Sequence, residues 1–290
     1  MNRGGTTGPE AAGAARHIDI RPGVGGAAQV LQGRELEMLR IHVEQPVLIF
    51  VDRGVKTVKT GHGATVRALP GQAILLAGNQ TVDFRNALGE GRHYAARWLL
   101  FDTALLDDAY YLGRSAQVEP PGHGPASARL LARVGDGLAA AFENARRALA
   151  PGPAIPDAVA RQRVLEVMHW LLEEGLALRS PPVNPSVSVK VRALIAGRLD
   201  AIWTAGRVAG ELAQSEATLR RRLVAEGTTL RALLADVRMA TALTLLQATA
   251  QPVSAIALTV GYESASRFAV RFRQRFGFAP SAVRGHARPQ

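Results

Sequence analysis

The chain has 290 residues, 47% of them hydrophobic, a formal net charge of +11 and no cysteine. That length fits about two domains, and the apolar content excludes wholesale disorder. The missing cysteines exclude a disulfide framework and a thiolate metal site. No apolar run approaches the roughly 18 residues of a membrane span, and the N-terminus lacks the apolar core of a signal peptide. The expectation is a soluble cytoplasmic protein with no membrane partner.

Residues 1–16 are rich in glycine and alanine and are expected to be unstructured. A barrel or sandwich is expected over residues 17–112. From residue 35 to 101 the chain reads as six or seven short strands separated by turns. ELEMLRIHV alternates apolar and polar residues, PVLIFV is continuously apolar, and Asp52 to Gly54 turns the chain into GVKTVKT. ATVRAL, QAILLA, TVDF and the stretch 94–101 follow, with turns at Pro70-Gly71 and Gly78-Asn79. Such spacing fits a small antiparallel barrel or sandwich. His42, His62 and His93 are scattered, with no H-x-H pair and no suitably placed carboxylate following at short spacing. They read as ordinary histidines, so no metal, no cofactor and no enzyme activity is expected. The apolar strand interiors favour an apolar or aromatic ligand.

Residues 102–111 suggest a short helix and 113–125 a loop. Two amphipathic helices follow: one presents Leu131, Val134, Leu138, Phe142 and Leu149, the other Leu165, Met168, Leu172 and Leu176. Pro151, Pro153 and Pro156 separate them. This segment, residues 113–179, can pack on the barrel or form a dimer interface, and a mixture of the two roles is expected. Residues 180–185, SPPVNP, read as a stiff linker.

Residues 186–290 carry a motif that occurs twice. In RVAGELAQSEATLRRRLVAEG (207–227), Val208 and Leu212 give a first helix its inner face, Ala213 to Ser215 turn, and Ser215 caps a second helix whose inner side is Leu219 and Leu223. In PVSAIALTVGYESASRFAVRFRQRFGFAPSAVR (252–284), Ile256 and Ala257 lie in a short helix that Gly261 ends. Ser264 caps the next helix, whose inner stripe is Phe268, Phe272 and Phe276 and which carries Arg267, Arg271, Arg273 and Arg275. Each copy has the form of a helix-turn-helix. Between them, 230–246 reads as one helix, capped by Thr229, with Leu233, Leu234, Val237, Leu245 and Leu246 as core positions. A helix of about 19 residues spans roughly 28 Å, close to the ~34 Å between successive major grooves on one face of DNA. Charge agrees: from Pro185 onward there are 15 Lys+Arg against 6 Asp+Glu, whereas the rest has 20 against 18. Polyanion binding therefore belongs in the C-terminal third.

The segment from 184 to 284 resembles the DNA-binding domain of the AraC/XylS family of bacterial transcription regulators. The resemblance rests on Ala209, Leu212, Ser215, Leu219, Arg221 and Leu223, then Gly227, Arg238, Ala242, Leu245 and Leu246. It continues in Ile256, Ala257, Gly261, Tyr262, Ser264, Ser266, Phe268, Phe272, Gly277, Pro280 and Arg284. It implies an α+β chain: an N-terminal cupin-like sensory barrel, a helical packing or dimerisation segment, and an all-α domain with two helix-turn-helix units. It also implies a regulator of transcription, an activator, with RNA polymerase, an effector and a homodimeric partner as expectations. One position departs from the family, which usually carries arginine where this chain has Val270.

Helical geometry selects the residues expected at double-stranded DNA. With Leu219 and Leu223 inside, Arg221 points outward, flanked by Ala217, Thr218, Arg220 and Val224; Arg222 lies beside the core and is expected to snorkel or pair with an acid. With Phe268 and Phe272 inside, Ser266, Arg267, Val270 and Arg273 face outward, Val270 suits a thymine methyl, and Arg271 suits a phosphate. Two other classes fit less well. One is a ligand-binding or catalytic barrel whose basic domain docks on an anionic protein. The other is an architectural DNA binder with little sequence preference.

Overall fold

The computed structural model describes residues 18–61, 63–118, 127–150, 155–179 and 185–284. The expectations for residues 1–16, His62, Pro151, Pro153 and nearly all of the linker fall outside these ranges.

Alternating and continuous apolar strands build two antiparallel sheets, and the two patterns go to different places. The outer sheet has four strands in the order β3–β8–β5–β6: β3 (Leu36–Val43), β5 (Val55–Thr60), β6 (Thr65–Ala68) and β8 (Gln80–Ala87). The central sheet has six, in the order β1–β2–β9–β4–β7–β10: β1 (Ile18–Arg21), β2 (Gly25–Gln32), β4 (Val47–Arg53), β7 (Ala73–Leu76), β9 (Tyr94–Phe101) and β10 (Ala128–Leu131). Strand β4 is apolar from Val47 to Val51 because both its faces are covered there. Val47, Ile49 and Val51 face the outer sheet, while Leu48 and Phe50 join the core formed with two helices, α2 (Asp136–Leu149) and α3 (Asp157–Glu173). The N-terminal domain thus has three layers: outer sheet, central sheet, helix pair. Arg97 of β9 ties the last two together, donating to both Asp52 carboxylate oxygens and to Glu143, with its guanidinium near the Phe50 and Phe142 rings.

Several expectations are corrected here. β1, β2 and β10 lie outside the 35–101 window. Leu131 ends β10 and is not on a helix, so the segment expected to be helical contributes a strand to the central sheet. Residues 102–111 divide into a 3-10 turn at Thr103–Leu105 and the helix α1 (Ala109–Ser115), which intrudes on the expected loop. Helices α2 and α3 bury Leu138, Phe142, Val164 and Met168 against the sheet, which is the packing role expected of them.

The C-terminal domain begins with α4 (Val187–Gly197) and continues as α5 (Ala205–Glu211), α6 (Glu216–Ala225), α7 (Leu230–Ala248), α8 (Val253–Thr259) and α9 (Ala265–Phe276). Thr204, Ser215, Thr229 and Ser264 each accept a hydrogen bond from the backbone N–H three residues on, capping α5, α6, α7 and α9. Helix α7 serves two cores. Its first half gives Leu233 and Val237 to a cluster with Val191, Ile195, Leu219 and Leu223; its second half gives Met239, Ala242, Leu243 and Leu246 to a cluster with Ile256, Phe268 and Phe272. Leu234 and Leu245, expected as core positions, are only partly buried, and Met239, Ala242 and Leu243 take the deeper sites. A helix that belongs to two cores cannot keep a single apolar stripe along its whole length.

Leu36 and Met38 of β3 belong to that second cluster, so the sandwich edge is continuous with the second helix-turn-helix core. No helix of the described residues is long and apolar enough to cross a membrane.

Candidate nucleic-acid interface and interdomain cavity

Both helix pairs close with the same backbone geometry. After α8, the Tyr262 and Gly261 N–H groups donate back to Ala257 and Leu258, with Gly261 at φ +77°. After α5, the Gln214 and Ala213 N–H groups donate to Ala209 and Gly210, with Ala213 taking the left-handed position at φ +51°. Two equivalent turns thus present α6 and α9 as second helices.

On α6, Leu219 and Leu223 are buried, and Ala217, Arg220, Arg221 and Val224 are exposed. Arg220 and Arg221 have no hydrogen-bonding or ionic partner among the described residues. Thr218 is half-buried, and its hydroxyl is paired with that of Ser215 at 2.9 Å. Ser215 and Thr218 therefore spend their hydroxyls on the cap. Arg222 is exposed and reaches the Gln214 amide oxygen at 3.5 Å; among the described residues it pairs with no acid, so of the two expected arrangements the ion pair is not made.

On α9, Phe268, Phe272 and Phe276 are buried, while Ser266, Arg267, Val270, Arg271 and Arg273 are exposed. Val270 is 57% exposed, high for a branched apolar side chain. Ser264 is half-buried and caps the helix. Arg271 is tethered to Gln274 at 3.3 Å; Arg267 and Arg273 have no partner among the described residues. Leu212, Ile256, Ala257, Gly261 and Pro280 hold the framework: Ile256, Ala257 and Pro280 are buried and Leu212 is half-buried.

Arg275 differs from the other arginines of α9. It turns inward, donating to Asp236 of α7 at 3.3 Å and to the backbone carbonyls of Leu39 and Arg40 on β3 at 2.8 and 2.6 Å. Asp236 also accepts from Arg192 of α4 at 3.4 Å. A bulge in β3, where Arg40 has φ +53°, is what turns those carbonyls toward α9. Helical periodicity alone gave no sign of this contact. Arg275→Ala should weaken the join between β3 and α9 by about 1–2 kcal/mol, the figure for charged hydrogen bonds reduced for Asp236's 37% exposure. Faster amide exchange confined to β3 and α9 would register the loss.

Between the sheets lies a cavity of about 360 Å³, closed on one side by α7. Its walls are apolar, with Val30, Ile49, Phe84, Trp98 and Leu100 from the sandwich and Leu243 from α7. Lys56, Asn86 and Tyr94 line it within the sandwich; His42, Glu44 and Arg192 line it beside the helical domain. Burial, reinforced by the Arg192 charge, lowers the His42 pKa to about 4. Burial also raises that of Glu44, against the pull of Arg192. Both groups are therefore biased toward their neutral forms. Among the described residues no group of three or more His, Asp or Glu could hold a metal ion.

The architecture defines a two-domain protein that couples a ligand-sized cavity to a pair of helix-turn-helix units. The sequence profile described as "Helix-turn-helix domain" matches residues 208–286. The HTH-type transcriptional regulator GadX of Escherichia coli is 32% identical over 99 residues, 34% of this chain and 36% of GadX. The DNA-binding dual transcriptional regulator Rns, also of Escherichia coli, is 38% identical over 93 residues, 32% of this chain and 35% of Rns. These matches thus span about a third of the curated relatives' length. ToxT from Vibrio cholerae shares the fold over 89% of this chain and 97% of its own, with a TM-score of 0.60 at 14% identity; it has also been solved with an unsaturated fatty acid bound. Residues 208–286 thus carry a helix-turn-helix domain similar to the corresponding third of the transcriptional regulators GadX and Rns.

Proposed function

We propose that the protein is a cytoplasmic, sequence-specific DNA-binding transcription regulator, an activator that works through RNA polymerase. In this reading α6 and α9 enter adjacent major grooves, and occupancy of the interdomain cavity governs their availability. The observation that carries it is the double membership of α7. One 19-residue helix supports both helix-turn-helix cores and also walls the cavity, so its position bears on all three. At ~1.5 Å per residue it is roughly 28 Å long, near the ~34 Å of one DNA turn.

Electrostatics favours the same reading. Arg220, Arg221, Arg267 and Arg273 are exposed and unpaired among the described residues, whereas Arg192, Arg238 and Arg275 are engaged inside the protein. The first set, together with the exposed Arg271, is available to phosphates and base edges, and the second is not. Ser266 and Val270 add a hydroxyl and an apolar contact on the same face of α9, and Arg271 reaches a phosphate. Ala217 leaves room beside Arg221 for a base pair to approach α6. A homodimer would use the outer side of α3, where Val159 and Trp170 are 44% and 41% exposed.

The cavity ligand is proposed to be a small, largely apolar acid, as the mostly apolar lining and the fatty acid bound to the fold-sharing ToxT suggest.

Random-sequence selection with mobility shifts tests the DNA reading. It should enrich a bipartite motif with centres about one helical turn apart. Arg221→Ala should cost about 1–3 kcal/mol at the selected site and much less on random DNA. Equal losses on both would assign Arg221 to the backbone. Failure to enrich any motif would favour a protein-docking domain, and steep salt dependence without a motif would favour an architectural binder.

A further inference from the structure

Lys56 has no counterion among the described residues. It lies on β5 facing the cavity, 6% exposed, and its ammonium donates to the Asn86 side-chain oxygen at 3.1 Å. The Phe84 ring centre lies 4.1 Å from it and that of Tyr94 6.0 Å. No carboxylate among the described residues pairs with it. The groups around it are short of partners as well. Asn86 passes its amide N–H to Gln32 at 3.0 Å, which leaves the Gln32 amide nitrogen without an acceptor, and the Tyr94 hydroxyl has no partner. Buried donors are rarely left unmet, and a buried cation without a counterion is costlier still. Ring faces compensate only in part.

The other cation of the cavity is already satisfied. Arg192 pairs with Asp236, beside His42 and Glu44. Strand register separates the two polar regions: His42 lies opposite Thr81 on β8 and Lys56 opposite Asn86. Five residues of strand at ~3.4 Å each make about 17 Å. Ile41, Phe84, Ile49 and Trp98 line the space between and offer no charge.

We propose that the ligand's carboxylate seats on Lys56 inside the sandwich, with the Tyr94 hydroxyl as a second donor, and that its hydrocarbon tail runs along the cavity toward α7. This rests on the reading of the cavity as an effector site and adds the class and direction of the occupant: a head-inward monocarboxylic acid. The tail, not the head, would then press on the helix shared by both DNA-reading units.

Protonation provides a signature. Burial lowers the Lys56 pKa to about 7, so above that pH the empty site holds mostly neutral amine. A carboxylate would restore the charge, and binding at pH 8.5 should take up about one proton. Among the groups around Lys56, Tyr94 is held neutral by burial and by the Asp52 charge, and Asn86, Gln32 and Phe84 do not titrate. His42, Glu44 and Arg192 lie at the far end.

Calorimetric titration of the full chain with dodecanoate, dodecanol and dodecylamine tests the assignment. It should be run at pH 7.5 and 8.5, in buffers of different ionisation enthalpy, on the wild type and on Lys56→Met. Dodecanoate should bind the wild type at least about tenfold more tightly than dodecanol, lose about tenfold in affinity over that pH unit, and take up a proton. Lys56→Met should bind dodecanol as the wild type does while losing the preference for the acid. Equal binding of acid and alcohol, or acid binding without proton uptake, overturns the head-group assignment and leaves the cavity reading standing. If none of the three ligands binds the wild type, the cavity reading falls and the assignment with it. Should Lys56→Met fail to fold, the acid-to-alcohol ratio and the proton count on the wild type decide alone.

Discussion

Phe272→Ala is expected to cost about 3–5 kcal/mol of stability, the range for truncating a fully buried aromatic side chain. Phe272 has no exposed surface, and its ring centre lies 5.5, 4.6 and 5.9 Å from those of Phe268, Phe276 and Phe278. The void would open where α9 meets α8, α7 and β3, because Leu36 and Met38 belong to the same cluster. The damage should be local. Leu219 and Leu223 sit in a separate cluster with α4 and the first half of α7, so the first unit keeps its core. Chemical denaturation should therefore show a low-stability step for the second unit ahead of the remainder. In the proposed two-groove binding mode, footprinting should shrink to a single patch under α6. A variant that unfolded as one unit would mean that α7 couples the two cores more tightly than their separate clusters suggest.

What the sequence disclosed follows from how local each signal is. The inner positions of α6 and α9, the caps Ser215 and Ser264 and the turn at Gly261 are set by residues within one or two helical turns, and periodicity and capping chemistry display them directly. Strand β4 was legible for the same reason: its unbroken apolar run reports that both faces are covered. The three overlooked strands are of another kind. In β2, GGAAQVLQ shows little alternation because it lies at the centre of the domain, between β1 and β9 and facing both the cavity and α2, where small residues pack closely. β10 is four residues long and owes its existence to pairing with β7, more than fifty residues earlier in the chain. Arg275 carries the same lesson on the functional side. Helical projection places it among the basic residues of α9, but the acceptors that claim it, Asp236 and two β3 carbonyls, are far away in sequence. The Lys56 site was equally hidden, since VKTVKT puts Val55 and Val58 on opposite strand faces and marks neither as apolar, so only the pairing of β5 with β8 and its burial reveal which lysine faces inward.

Gly261→Ala should cost about 2–5 kcal/mol, and two separable causes contribute. The first is conformational: at φ +77° an L-residue loses roughly 1–2 kcal/mol to the clash between its Cβ and the backbone. The second is crowding. A Cβ at this position would stand 2.6 Å from the Leu199 carbonyl oxygen and 2.5 Å from the Arg238 guanidinium, and overpacking of that kind typically adds about 1–3 kcal/mol. Arg238 matters because it bonds the Leu199 and Ala201 carbonyls, at 3.0 and 3.2 Å, fastening the chain that leaves α4 to α7, with its guanidinium 5.9 Å from the Tyr262 ring beside the turn between α8 and α9. The added methyl would therefore strain the joint between the two units as well as the turn. Gly277→Ala separates the causes: that residue has φ +79° but a Cβ there meets nothing within 4 Å, so its cost should stay at the conformational ~1–2 kcal/mol. Thermal or chemical denaturation of both variants gives the crowding contribution by difference. Equal losses would show that Leu199 and Arg238 move aside freely, and the joint would then be looser than its hydrogen bonds imply.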